Sequence, residues 1–244
     1  MQIENRRLSR LERSLSKQIQ RALKRQGENY VETGNLGSEM QDTLWKAYHK
    51  IMHDYAKRQM QWFEQGISKA STDRFFMRWE TAIVDYLTRY LFSKVAEIDK
   101  TTLESIRKET QPFILGGAPT GDIAAAVRRA TSQRYTRARA IMIARTELGN
   151  AVAQGKRESS DAWEAETGMK QGKLWIHRGA KDPRSWHQEL DTGVPIPKEE
   201  PFHVVNPNTG TSEYMDYPHD PNASAENVIN CGCTVIYVRM SEDD

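Results

Sequence analysis

Residues 75–98 read FFMRWETAIVDYLTRYLFSKVAEI. Apolar side chains fall at Phe75, Trp79, Ile83, Tyr86, Leu87, Tyr90, Leu91, Val95 and Ile98. Steps of three and four residues place them on one stripe of a helix, with charged residues on the other faces. No proline interrupts the run. The same period extends towards the N-terminus. Met40, Leu44, Tyr48, Ile51, Tyr55 and Trp62 form a stripe over residues 40–63, and Leu8, Leu11, Leu15, Ile19 and Leu23 form another over 3–26. Gly27, Gly34 and Gly37 mark the break between these two.

Towards the C-terminus, Pro112, Gly116, Gly117, Pro119 and Gly121 punctuate the chain. A short helical segment over 122–130 and a longer one over about 134–167 follow. Gly149 and Gly155 weaken the longer helix, because glycine costs about 1 kcal/mol relative to alanine in a helix interior. From Lys173 the grammar changes. KLWIHR is a strand candidate, and seven of the nine prolines lie between Pro183 and Pro221. CTVIYVRM, residues 233–240, is rich in β-branched and aromatic residues and reads as the best strand. The expectation is a mainly α protein with a small α+β C-terminal region. Residues 1–118 form an extended, basic helical part. Residues 119–244 form a long helix followed by a loop-rich module with a few short strands.

The chain has 244 residues, of which 38% are hydrophobic and 28% charged. That composition suits a soluble protein. No apolar run reaches the ~18 residues that a membrane helix requires, and the N-terminus has neither the apolar core nor the cleavage site of a secretory signal. The two cysteines, Cys231 and Cys233, flank one glycine. A disulfide across so short a loop is strained, so a disulfide scaffold is excluded and a reducing compartment is expected.

The formal net charge of +2 conceals an asymmetry. Residues 1–150 hold 26 Lys and Arg against 17 Asp and Glu (+9), and residues 151–244 hold 9 against 16 (−7). On the first helix, Arg6, Arg7, Arg10, Arg13, Lys17, Arg21, Lys24 and Arg25 surround the leucine stripe. A basic amphipathic helix binds nucleic acid, an anionic surface or a partner helix. The leucines favour packing on a partner, which leaves the cations exposed.

Residues with chemistry recur in a fixed order along the second half. Ala144-Arg145-Thr146-Glu147 lies in the long helix, and Lys173-Leu174-Trp175 opens the first strand. Asp182, Arg184 and His187 follow, then Leu190-Asp191-Thr192-Gly193, Phe202, and Pro218 with Asp220. Ile229-Asn230-Cys231-Gly232-Cys233 closes the series. This order resembles the phage head morphogenesis family, the minor head proteins similar to the F protein of phage Mu. That family's pattern runs Ala-Arg-Thr-Glu, Lys-x-Trp, Asp-x-Arg-x-x-x-His, Leu-Asp-Gly, Pro-x-Asp, Asn-Cys-Arg-Cys. Three departures stand out. Two residues rather than three separate Arg184 from His187. Thr192 is inserted before Gly193, and Gly232 replaces the arginine between the cysteines. The resemblance does not reach residues 1–118.

The resemblance implies a minor structural protein of a tailed-phage head, working in capsid assembly and DNA packaging with the portal, scaffold or major capsid protein. Its place would be the virion head, interior or portal vertex, after assembly in the host bacterial cytoplasm. The basic half fits contact with packaged double-stranded DNA, since Lys and Arg contact phosphate without reading sequence. No membrane partner is expected.

His187, Cys231 and Cys233 are candidate ligands for one Zn2+, because thiolate and imidazole both suit that ion. His219, His203, Asp220 and Asp182 are candidates for a fourth position. A metal would stabilise a module with few apolar residues. The competing reading buries both thiols as ordinary strand residues on one face. A polar network of Arg145, Glu147, Asp182, Arg184 and Asp220 would order the same region without metal, with Arg184 pairing to Asp182 or Asp220. Arg145 and Glu147 lie two positions apart, so they serve different helix faces. No HExxH, P-loop, Gly-x-Ser-x-Gly or dinucleotide fingerprint occurs. His49 and His53, at i, i+4 without a companion carboxylate motif, read as surface or partly packed residues. No catalytic residue is therefore assigned. The alternative is a metal-dependent nuclease or a toxin-like effector carrying the same domain.

Overall fold

The computed structural model describes residues 2–63, 69–116, 118–132, 137–178 and 183–240. Five long helices come first: α1 (Gln2–Thr33), α2 (Glu39–Phe63), α3 (Lys69–Leu115), α4 (Thr120–Ser132) and α5 (Arg137–Thr167). Short elements follow: β1 (Gln171–Ile176), α6 (Ser185–Gln188), β2 (Ile196–Pro197), β3 (Phe202–Val205), β4 (Ser212–Met215), α7 (Ala225–Val228) and β5 (Thr234–Arg239). The protein is thus mainly α with a small α+β C-terminal region. No helix among the described residues is long and apolar enough to cross a membrane.

The stripe over residues 75–98 belongs to one 47-residue helix that runs on through Pro112. Proline costs a helix its own N–H bond and crowds the preceding turn. At Pro112 that cost falls in the final turn, where Gly116 N–H bonds Pro112 O and Ala118 N–H bonds Phe113 O. The helix therefore ends a few residues after the first proline of the punctuated stretch.

The chain folds into two compact units, residues 1–47 with 86–144 and residues 48–85 with 145–244. The sequence boundary at 118/119, marked by the Pro and Gly punctuation, lies inside the first of them. In that unit α1 packs on α4. Leu8, Leu15, Ile19 and Leu23 are buried there, and Leu36, Ile106, Val127 and Ala130 form a further cluster beside Tyr30 and Val31. The expected partner for the leucine stripe is therefore the chain itself. The cations do remain outside: Arg6, Arg10, Arg13, Lys17, Arg21, Lys24 and Arg25 are exposed, and Arg7 is half-buried.

In the second unit, β1 is the centre of an antiparallel sheet ordered β2-β1-β5. Gln171 through Ile176 pair with Arg239 through Thr234, and Lys173 also faces Ile196 on β2. β3 and β4 form a separate antiparallel pair. Trp175, Phe202, Val204, Met215, Val228, Cys231 and Cys233 make a core, with Trp186, Leu190 and Ile196 packed against it. The module is thus richer in apolar packing than its proline content suggests. The two helix glycines have a packing reason. A Cβ on Gly155 would lie 3.1 Å from the Met52 Cα, so its absence lets α5 approach the α2 backbone. Gly149 lies against the His219 ring.

Candidate metal centre

The site begins on α6. One turn of helix buries His187, and the ring's two nitrogens have different partners. Nε2 lies 3.0 Å from Asn227 Oδ1. Nδ1 lies 3.5 Å from the Cys231 sulfur and 3.8 Å from the Cys233 sulfur. Asn227 Oδ1 also accepts from Trp186 Nε1 at 2.9 Å, and its Nδ2 donates to Glu213 Oε1. An amide oxygen only accepts, so Nε2 carries the proton and the Nδ1 lone pair faces the sulfurs. Glu213 in turn accepts from the Ser224 backbone N–H and hydroxyl. Burial pushes its carboxyl up, but the hydrogen bonds from Asn227 and Ser224 outweigh it and hold the pKa below the usual value. Such a carboxylate–amide–imidazole chain orients a metal-binding histidine.

The ligand atoms of His187, Cys231 and Cys233 lie within 4.8 Å of one another, and all three residues are buried. Cys233 donates to Cys231, which lowers the Cys231 pKa well below the ordinary thiol value. The same bond, with burial, raises that of Cys233. The Cys233 backbone N–H adds a bond to the Cys231 sulfur at 3.4 Å. Both thiols are free rather than disulfide-bonded. Two soft thiols and an imidazole lone pair, converging in a buried pocket, fit a zinc-type ion in donor chemistry and spacing.

The remaining sequence candidates separate clearly. Arg145 reaches the Asn230 side-chain oxygen at 2.7 Å, and Thr146 Oγ1 accepts the Asn230 N–H at 2.9 Å. Asn230 has φ +58, and these bonds hold that left-handed residue directly before Cys231. Glu147 turns the other way and accepts from the Tyr48 hydroxyl at 2.5 Å. Arg184 does not pair with Asp220; it donates to the Ile229 carbonyl at 2.8 Å. Asp220 instead accepts the Asp216 and Asn222 N–H groups at 2.8 and 2.9 Å, closing its own turn. Both are corrections with one cause: unpaired backbone groups in a loop-rich segment compete for polar side chains. Asp182 lies outside the described residues. His203 is exposed and stacks on Tyr214. His53 packs against Trp79 with ring centroids 5.4 Å apart.

Sequence reasoning missed Asn227 and Glu213, and it named Thr146 and Lys173 only as motif members without a role. Asn227 and Glu213 orient His187, Thr146 holds Asn230, and Lys173 is a cation with no solvent exposure. Lys173 Nζ donates to the Asp216 carbonyl at 2.8 Å and lies 5.2 Å from the Phe202 ring centroid. Only Gly149, conspicuous inside a helix, was a visible signal of crowding near the site.

Comparisons with known proteins place little beside this geometry. No protein-family model matches the chain, and no solved structure matches it. A curated protein of Bacillus subtilis (strain 168), "Uncharacterized protein YqbB", is 31% identical over 145 residues. That similarity covers 58% of this chain and 44% of the relative, so the chain spans less than half of the relative's length.

Proposed function

We propose that this chain is a minor head protein of a tailed phage, acting structurally in head morphogenesis with the portal, scaffold or major capsid protein. One Zn2+ held by His187, Cys231 and Cys233 ties its C-terminal module together. The observation that carries the reading is convergence. Arg145 and Thr146 of the Ala-Arg-Thr-Glu element both bond Asn230 of the Asn-Cys-x-Cys element. His187, which follows Arg184 by one residue fewer than the Asp-x-Arg-x-x-x-His pattern has it, meets both sulfurs, and Trp175 of Lys-x-Trp packs edge-to-face on its ring. Residues that carry the resemblance therefore serve one buried centre, as expected of a module built for structure. The protein would sit in the virion head, interior or portal vertex, after assembly in the host cytoplasm. Quantitative mass spectrometry of purified procapsids and DNA-filled heads tests this. The expected result is that the chain is present, at low copy number, in at least one of the two particles. Absence from both would overturn the head assignment and favour the nuclease or effector alternative.

Packaged double-stranded DNA is the proposed non-specific partner of α1. Arg6, Arg10, Arg13, Lys17, Arg21 and Lys24 recur every three or four residues, and all are exposed. They line one face over about 27 Å, at ~1.5 Å per residue. Six cations on phosphates would give a slope of log affinity against log salt of about −5. A slope near zero, or binding that survives reversal of Arg10, Arg13 and Lys17 to glutamate, would remove this partner.

A further inference from the structure

We infer that His219 is the fourth ligand, making the centre a closed site of two cysteines and two histidines. The inference rests on the zinc reading proposed for His187, Cys231 and Cys233. His219 is 1% exposed, and among the described residues neither ring nitrogen has a hydrogen-bond partner of ordinary geometry. An unpaired buried polar group is costly, so such a ring calls for a partner. The ring lies near Cys231 and, after the larger effect of the Cys233 hydrogen bond, helps to hold that thiol's pKa below its ordinary value.

The surroundings hold His219 in place. Its backbone is left-handed, with φ +67, a conformation uncommon for a residue with a side chain. Tyr217, two residues earlier, donates its hydroxyl to Gln154 Oε1 on α5 at 2.6 Å. Asp220, one residue later, accepts two backbone N–H groups and closes the turn. The ring then lies over the bare Cα of Gly149, where a Cβ would collide with Cε1 and Nε2. The turn, the left-handed residue and the helix glycine together fix where this ring lies.

Two of the competing fourth ligands, Asp220 and His203, are engaged elsewhere, and Asp182 lies outside the described residues. Both Asp220 oxygens are engaged by backbone N–H groups, and His203 stacks on Tyr214 at the surface. His219 borders the tight three-residue group at Cys231, so coordination needs the ring to close by a side-chain movement. Four protein ligands leave no position for substrate or activated water, which makes the ion structural rather than catalytic.

X-ray absorption at the zinc edge of the wild-type protein tests the ligand count directly. Two sulfur and two imidazole neighbours are expected. Two sulfurs with a single imidazole would overturn the inference while leaving the three-ligand reading intact. A protein that binds no zinc would overturn both. Two variants add an independent readout in the cobalt-substituted protein. His219→Asn tolerates the left-handed backbone but should weaken metal binding roughly 10- to 100-fold. His219→Cys should restore binding and add sulfur-to-cobalt charge transfer. Unchanged affinity and spectrum in both variants would sink the fourth-ligand assignment.

Discussion

Removing the zinc proposed for His187, Cys231 and Cys233 is expected to lower the melting temperature by about 10 °C and to leave α1 and α4 helical. A ligand present at about 1,000 times its dissociation constant stabilises the folded state by about 4 kcal/mol. In a chain of this size each kcal/mol moves the midpoint by about 2–4 °C. Calorimetry with and without a strong chelator measures the shift. Cys231→Val separates the two readings of the thiols. It keeps an apolar side chain in the core but removes a ligand. If the sulfurs only fill space, the valine variant will melt near wild type and chelator will change neither protein. If they hold metal, the variant will melt like the chelated wild type and retain little zinc. Acid should also release the ion, because metal binds thiolate and neutral imidazole and protons compete for both.

Lys173 is expected to make stability rise with pH in an alkaline window. Burial is the largest influence on its amine and outweighs the attraction of Asp216, taking the pKa from 10.5 down to about 8. The unfolded chain therefore binds more protons than the folded chain between about pH 8 and 10.5, and stability grows as pH rises through that range. A shift of that size corresponds to about 3 kcal/mol. Lys173→Met has no such proton. The stability difference between wild type and variant should move by about 3 kcal/mol in favour of wild type from about pH 7 to 11. Denaturant unfolding of the zinc-saturated proteins across that range measures it. A difference that does not change with pH would show that the amine reaches water in the folded state.

Helices were legible because their signal is local. A period of about 3.6 residues needs only neighbours in sequence, so Phe75 through Ile98 and Leu8 through Leu23 declared their faces without a fold. The strands at Lys173 and Thr234 were legible from side-chain type, and their pairing was decided by the fold. The leucine stripe shows the limit. Periodicity states that a face is apolar but not what covers it, and within this chain the stripe is buried.

The sequence by itself determined the mainly α class, the change of grammar near residue 171, the basic face of α1, and the set of residue types able to bind metal. Tertiary structure decided which of them meet. His187 lies 44 residues from Cys231, and spacing of that size carries no geometry. The fold turns His187 towards both sulfurs and holds it there through Asn227, and it sends Arg184 to a carbonyl and Asp220 to its own turn. Gly149 reads as a weakness in a helix until His219 is seen against it. The physical reason is the range of the forces. Backbone preference and hydrophobic period act over a few residues, whereas a ligand set and the satisfaction of buried polar groups are properties of atoms brought together in space.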